Sequence, residues 1–138
     1  MIRVEDFYPL ILEAFEKNKT FSFPVNGKSM QPLLHANDVV EIAAIDSVHV
    51  GDILLYRREN GQFVLHRVRK IEPNGYTFVG DHQALVEKNI SASQLIGKVI
   101  SYKKQGKDKQ YLLKGIRYNL YKCLVRMKLF RRFCGKLL

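Results

Sequence analysis

"GDILLYRRENGQFVLHRVRKIEPNGYTFVGD", residues 51–81, decides the fold class. Three runs rich in Val, Ile, Leu and aromatics, "DILLYRR", "QFVLHRVRKI" and "YTFVG", are separated by the turn signals "ENGQ" and "EPNG". Runs of this length and composition read as strands. Asn60-Gly61 at the tip of "RRENGQF" reads as a tight hairpin, because both residues accept left-handed backbone at little cost. Working outward, "TFSFPV" and "DVVEIAAI" come before and "LIGKVISYKK" after, with "NGK", "VGD" and "GDHQ" as further turns. The expectation is a mainly β protein, an antiparallel β domain with short loops and a core over about residues 20–102.

Helices flank this region. Phe7, Leu10, Ile11, Ala14 and Phe15 recur at helical spacing, Asp6 suits a cap and Pro9 a first turn, which predicts an amphipathic helix over 6–17. Beyond "KDKQYLL", Leu120, Cys123, Leu124, Met127, Phe130 and Cys134 form an apolar stripe. Arg117, Lys122, Arg126, Lys128, Arg131 and Arg132 surround it, and Gly135 suits a stop. This predicts a basic C-terminal helical segment over 114–135. With 138 residues, 46% of them hydrophobic, and no internal repeat, the chain reads as one domain, 1–138.

Charge is unevenly placed. Residues 1–100 carry 11 Lys and Arg against 12 Asp and Glu, whereas residues 101–138 carry 12 against one, Asp108. The basic character belongs to the C-terminal segment, which suits an anionic partner. Two arrangements fit it: a helix packed on the sheet with its basic face in solvent, or a surface-lying amphipathic helix that contacts anionic lipid. Nucleic acid comes third, because no recognised binding motif accompanies the charge. Cys123 and Cys134 are too few for a disulfide framework and fit a reducing, cytoplasmic setting. No run approaches the roughly 20 apolar residues of a membrane span. The N-terminus lacks the basic start and small-residue cleavage site of a signal peptide.

Chemistry enters with "VNGKSMQPLLHANDVV", Val25 to Val40, where Ser29 sits in a turn with Gly27, Met30 and Pro32. A serine hydroxyl needs a neighbouring base to attack a carbonyl at neutral pH. Lys28 is adjacent, so in extended chain it points away from Ser29. His35, His49 and His82 read as loop residues. His66 lies inside "QFVLHRVRKI", where period-2 alternation puts Val64, His66 and Val68 on one face and Phe63, Leu65 and Arg67 on the other. That imidazole is either a satisfied core histidine or a positioned base with an ordinary pKa near 6.5. Asp81, closing "FVGD", is either a turn residue or the group that orients the base.

Taken in order, "GKSMQPLL", "NDVV", "VGDILLY", "VLHRVRKI", "FVGDHQ" and "LIGKV" resemble the superfamily of type I signal peptidases and LexA-like self-cleaving repressors. The resemblance runs from about Thr20 to Tyr102. It implies a Gly-x-Ser-Met-x-Pro box with Ser29 as nucleophile and a base at His66, as in the archaeal and endoplasmic-reticulum branch of signal peptidases. It places Asp81 on that branch's Gly-Asp box, which makes a triad where Asp81 reaches His66 and a dyad where it does not. A further acid follows in that branch; Glu87 is the nearest one here. The resemblance further implies an oxyanion held by backbone N–H groups, including that of Ser29. Gly27 stands where many relatives carry a second hydroxyl, Met30 and Pro32 shape the turn and groove, and no metal or other cofactor is expected. "HANDVV" carries Asn37-Asp38 in place of Gly-Asp, and Asn tolerates left-handed backbone.

The activity implied is serine endopeptidase cleavage of a precursor, signal or leader peptide, by a small member like those that stand alone in bacteria. Only about 20 residues precede the box, without a helix-turn-helix pattern, so a self-cleaving repressor is not expected. Two competing readings are a non-catalytic peptide-binding module of the same fold and a nucleic-acid-binding protein using the basic tail.

Overall fold

The computed structural model describes residues 3–126. Eight strands form one antiparallel sheet: β1 (Phe21–Pro24), β2 (Val39–Ala43), β3 (Ile53–Arg57), β4 (Phe63–Glu72), β5 (Gly75–Val79), β6 (Glu87–Ile90), β7 (Leu95–Lys103) and β8 (Gln110–Leu112). Their order is β1-β2-β7-β3-β4-β5-β6, with β8 also paired to β7. The predicted strands are all present. β6 and β8 are additions that the sequence reading did not foresee.

β3 explains the two-sided core. Ile53 and Leu55 pack into one buried cluster with Ile11, Phe23, Val40 and Val99, while Leu54 and Tyr56 pack into the other with Val68 and Phe78. Strict alternation sends successive side chains to opposite faces, so a strand buried on both reads as a continuous apolar run. The hairpin from β3 to β4 pairs Arg57 with Phe63 and Ile53 with Arg67, and Gly61 at its tip has φ 91°.

The N-terminal helix is real but begins differently. A 3-10 turn over Val4–Phe7 precedes α1 (Tyr8–Glu16). Asp6 accepts the Arg3 N–H at 3.0 Å, so it caps the 3-10 turn instead of the α-helix. Pro9 lies in the first turn of α1 as expected, and Ile11 buries. Just before the helix, the Glu5 carboxylate accepts the Phe63 N–H at 2.8 Å, on a part of β4 that pairs with no strand on that side.

α2 (Ile116–Arg126) covers the described part of the C-terminal segment. Met127, Phe130, Cys134 and the stop at Gly135 lie outside the described residues. Within α2 the docked face is not the expected Leu/Cys stripe. Tyr118, Tyr121, Lys122 and Val125 are buried or half-buried, whereas Leu120 is 63% and Leu124 39% exposed. Among the described residues no helix is long and apolar enough to cross a membrane.

Candidate active site

The Ser29 turn is an excursion of the chain between β1 and β2. Its base is closed by Val25 N–H to Asp38 O and Asn37 N–H to Val25 O, both 2.8 Å. Asn37 takes φ 73°, the left-handed conformation that asparagine tolerates, and Gly27 takes φ 79°. The buried Asp38 carboxylate accepts from the His35 N–H, Lys104 Nζ and the Gln105 N–H and so ties the far end down. Met30 and Leu34 bury in the core beneath, each worth about 1.5–3 kcal/mol in removed apolar surface. Ser29 itself stays half-exposed.

The other side of Ser29 leans on the turn after β5. Its carbonyl oxygen accepts the His82 N–H at 2.9 Å. Gly80 faces the same oxygen so closely that a Cβ there would collide with it. The glycine of "FVGD" is thus required by the approach of Ser29 and not by an unusual φ.

A groove of about 820 Å³ joins the elements. Gly27, Ser29 and Met30 line one side and His66 the other, with Phe23, Leu55, Phe63 and Leu65 among its apolar walls. Pro32 is exposed and is not part of this lining. Ser29 and His66 therefore share the groove, but no hydrogen bond joins them among the described residues. Of the other bases weighed, Lys28, His35 and His49 are exposed. The His82 Nδ1 is buried without a hydrogen bond among the described residues.

His66 is 2% exposed. It sits opposite Leu54, so Tyr56 is its diagonal neighbour on the same face of the sheet. Nδ1 lies 3.2 Å from the Tyr56 hydroxyl and 3.4 Å from Glu87 Oε2. Tyr56 donates its only proton to Glu87 Oε2 at 2.8 Å. The Tyr56 oxygen can then only accept from His66, which places the imidazole proton on Nδ1 and leaves Nε2 with a lone pair. Burial pushes the His66 pKa down to about 4, with Glu87 acting in the opposite sense. The ring is neutral at pH 7. Glu87 is held ionised by its bidentate pair with Arg58, at 2.8 and 2.7 Å.

Asp81 meets a different partner. Its carboxylate pairs bidentately with Arg67, at 2.7 and 2.8 Å, and accepts the Tyr121 O–H at 2.9 Å. Alternation accounts for the split. His66 and Arg67 are successive residues of β4 on opposite faces, so the carboxylate that pairs with one does not hydrogen-bond the other, although the Asp81 charge still acts on His66. The structure brings Glu87 to His66 and Asp81 to Arg67. No hydrogen bond joins Asp81 to His66. Tyr56 and Arg58, which complete the surroundings of the imidazole, were not singled out from sequence. The pairing of Tyr56 with Val64 and the place of Arg58 just past β3, beside Gln62, were the available signal.

Among the described residues no group of three or more His, Cys, Asp or Glu could hold a metal ion. A search of curated proteins returns no match. The family model described as Peptidase S24-like matches residues 2–100, which span the Ser29 turn, β4 and the turn that carries Asp81, and the chain belongs to that family.

Proposed function

We propose that the protein is a serine endopeptidase that cleaves an extended precursor or leader peptide, with Ser29 as nucleophile, His66 as general base and Glu87 as the group that orients and stabilises the base. The observation that carries this reading is that two oxygens, the Tyr56 hydroxyl and Glu87 Oε2, face His66 Nδ1. Tyr56 and Glu87 hold Nδ1–H, and Nε2 is left as an acceptor on a ring that lines the same groove as Ser29. In the reaction, Nε2 takes the Ser29 Oγ proton as Oγ bonds to the peptide carbonyl carbon. The imidazolium that forms faces the Glu87 carboxylate, then gives its proton to the leaving amine, and water releases the acyl group from Ser29. The oxyanion is met by backbone N–H, that of Ser29 first, because Gly27 brings no side-chain donor. The gap between Ser29 and His66 in the substrate-free chain is compatible with this role, since such contacts tighten on binding.

Two free strand edges support an extended substrate. Among the described residues β1 pairs with no strand but β2 and the Phe63–His66 part of β4 with none but β3, and both stretches contribute to the groove. A peptide laid between them gains main-chain hydrogen bonds on both sides. Incubation with a library of unstructured peptides, read by mass spectrometry, should give site-specific cleavage that Ser29→Ala abolishes and His66→Ala reduces by about 10²–10⁴-fold. Cleavage that persists in Ser29→Ala at the original rate would remove Ser29 as nucleophile, and binding without cleavage by the unsubstituted chain would favour the peptide-binding reading.

We further propose that the outward face of α2 rests on an anionic membrane surface. Leu120 and Leu124 are exposed while Tyr118 and Tyr121 are half-buried, Arg117 lies beside the leucines on the helix, and the sequence continues with Lys128, Arg131 and Arg132. Such a face combines apolar burial with attraction to anionic lipid. Co-sedimentation with phosphatidylserine-containing vesicles, lost in Leu120→Asp/Leu124→Asp and absent with purely zwitterionic vesicles, is the expected result. Equal sedimentation of both forms would exclude this contact, and salt-sensitive binding to duplex DNA instead would favour nucleic acid.

A further inference from the structure

We infer that α2 is a positioning element for the nucleophile: Tyr118 and Tyr121 clamp the Arg67–Asp81 ion pair, and that pair holds the Gly80–His82 turn against Ser29. The inference rests on the reading of Ser29 as nucleophile.

The chain of contacts is continuous. Arg67 is 3% and Asp81 1% exposed, so both charges have lost their water. A buried pair persists only where its remaining donors and lone pairs are satisfied. Arg67 Nη1 donates to Gly51 O at 2.7 Å and to the Tyr118 oxygen at 2.8 Å. Asp81 Oδ2 accepts the Tyr121 O–H, and both tyrosine rings stand 5.6 Å from the guanidinium carbon. Two of the bonds that satisfy this pair therefore come from α2. The residues either side of Asp81 are the ones that touch Ser29: Gly80 packs on its carbonyl and the His82 N–H bonds to it. Burial raises the Tyr121 pKa, Asp81 raises it further, and the Leu33 backbone, four residues past Ser29, acts on the same hydroxyl in the opposite sense. The tyrosine thus sits between both turns.

Neither tyrosine lines the groove, so their influence on chemistry runs only through this relay. α2 also lies beyond residues 2–100, the stretch matched to the family. The clamp is a device of the C-terminal segment of this chain. If the hydroxyls are lost, the ion pair loses two bonds, the turn after β5 loosens, and the Ser29 carbonyl loses its fixed partner. Reaction rates are sensitive to such shifts, because displacement of a reacting group by about 1 Å costs on the order of 10²-fold.

The test is Tyr118→Phe/Tyr121→Phe in the full chain, which keeps both rings and removes only the hydroxyls. Two readouts are taken well below unfolding: amide hydrogen exchange at His82, with β6 amides as control, and acylation by p-nitrophenyl acetate, with Ser29→Ala as background. The expected result is His82 exchange faster by about tenfold, Ser29-dependent acylation slower by about tenfold, and an acid limb of the acylation profile that does not move, since His66 is untouched. Unchanged His82 exchange overturns the clamp. Faster exchange with unaltered acylation overturns the positioning role. Absence of Ser29-dependent acylation in the unsubstituted chain overturns the reading of Ser29 itself, a result distinct from the other two.

Discussion

Tyr56 lies 3.2 Å from His66 Nδ1 while its own proton is committed to Glu87, so one phenol decides which nitrogen of the imidazole is basic. Glu87→Gln removes the charge that faces the imidazolium and offers an N–H in its place. Peptide cleavage is expected to fall by roughly 10-fold or more, by analogy with loss of the orienting acid in a catalytic triad. Tyr56→Phe should cost less, because Glu87 remains within 3.4 Å to accept Nδ1–H. Asp81→Asn should cost about 3–5 kcal/mol of stability, since it breaks a buried pair, and should also slow the reaction of Ser29 by loosening the Gly80–His82 turn, while leaving the His66 acid limb unmoved. Steady-state kinetics and denaturation of the three variants check the order. Cleavage indifferent to Glu87→Gln would remove Glu87 from the site.

The buried imidazole sets a pH dependence. With its pKa near 4, the neutral base form of His66 dominates from pH 7 down to about pH 5. Activity governed by this group should stay level across that range and fall as pH passes through about 4. Stability follows the same group. The unfolded histidine, with a pKa near 6.5, binds its proton first, so stability is full above that value. It is lost progressively between pH 6.5 and about 4, by up to roughly 3 kcal/mol. Glu87, with its pKa lowered by Arg58, adds a loss in the same direction at lower pH. Urea midpoints at pH 7.5 and pH 4.5 should differ less in His66→Gln than in the unsubstituted chain.

Gly80 and Gly27 separate two kinds of glycine requirement. A Cβ at Gly80 meets the Ser29 carbonyl oxygen, so Gly80→Ala should cost about 1–3 kcal/mol and slow acylation of Ser29 beyond what the stability loss explains. A Cβ at Gly27 meets nothing within 4 Å, but the φ of 79° penalises any side chain. Gly27→Ala should cost about 1–2 kcal/mol through the backbone alone. Thermal melts paired with acylation rates distinguish the two.

Much of the sheet could be read from sequence because β2, β3, β4 and β7 carry dense apolar or alternating runs. β6 could not: "EKNI" has one apolar residue, and its strand character comes from pairing with β5 at the sheet edge. "QYL" is likewise defined by β7. The order of the segments singles out Ser29 and His66, and both line the groove. Which acid faces the imidazole was not legible, because the segment order favours Asp81 of "FVGD", whereas the structure brings Glu87 to His66. Their assignment depends on Arg67, whose buried charge on the opposite face of β4 claims Asp81. The docked face of α2 departs from the Leu/Cys stripe for the same reason. A Leu/Cys stripe looks like the docking side until the buried guanidinium, which needs hydroxyls, draws the tyrosines inward.

The bond from the Phe63 N–H to Glu5 has a consequence for length. Along β4 the edge without a second strand runs from His66 to Phe63, four residues spanning about 10 Å. At its far end the Glu5 carboxylate already occupies the next main-chain donor. A peptide pairing along this edge meets a stop there. On the proposed endopeptidase reading, the 3-10 turn over Val4–Phe7 would act as a ruler for the number of residues gripped on that side of the cut.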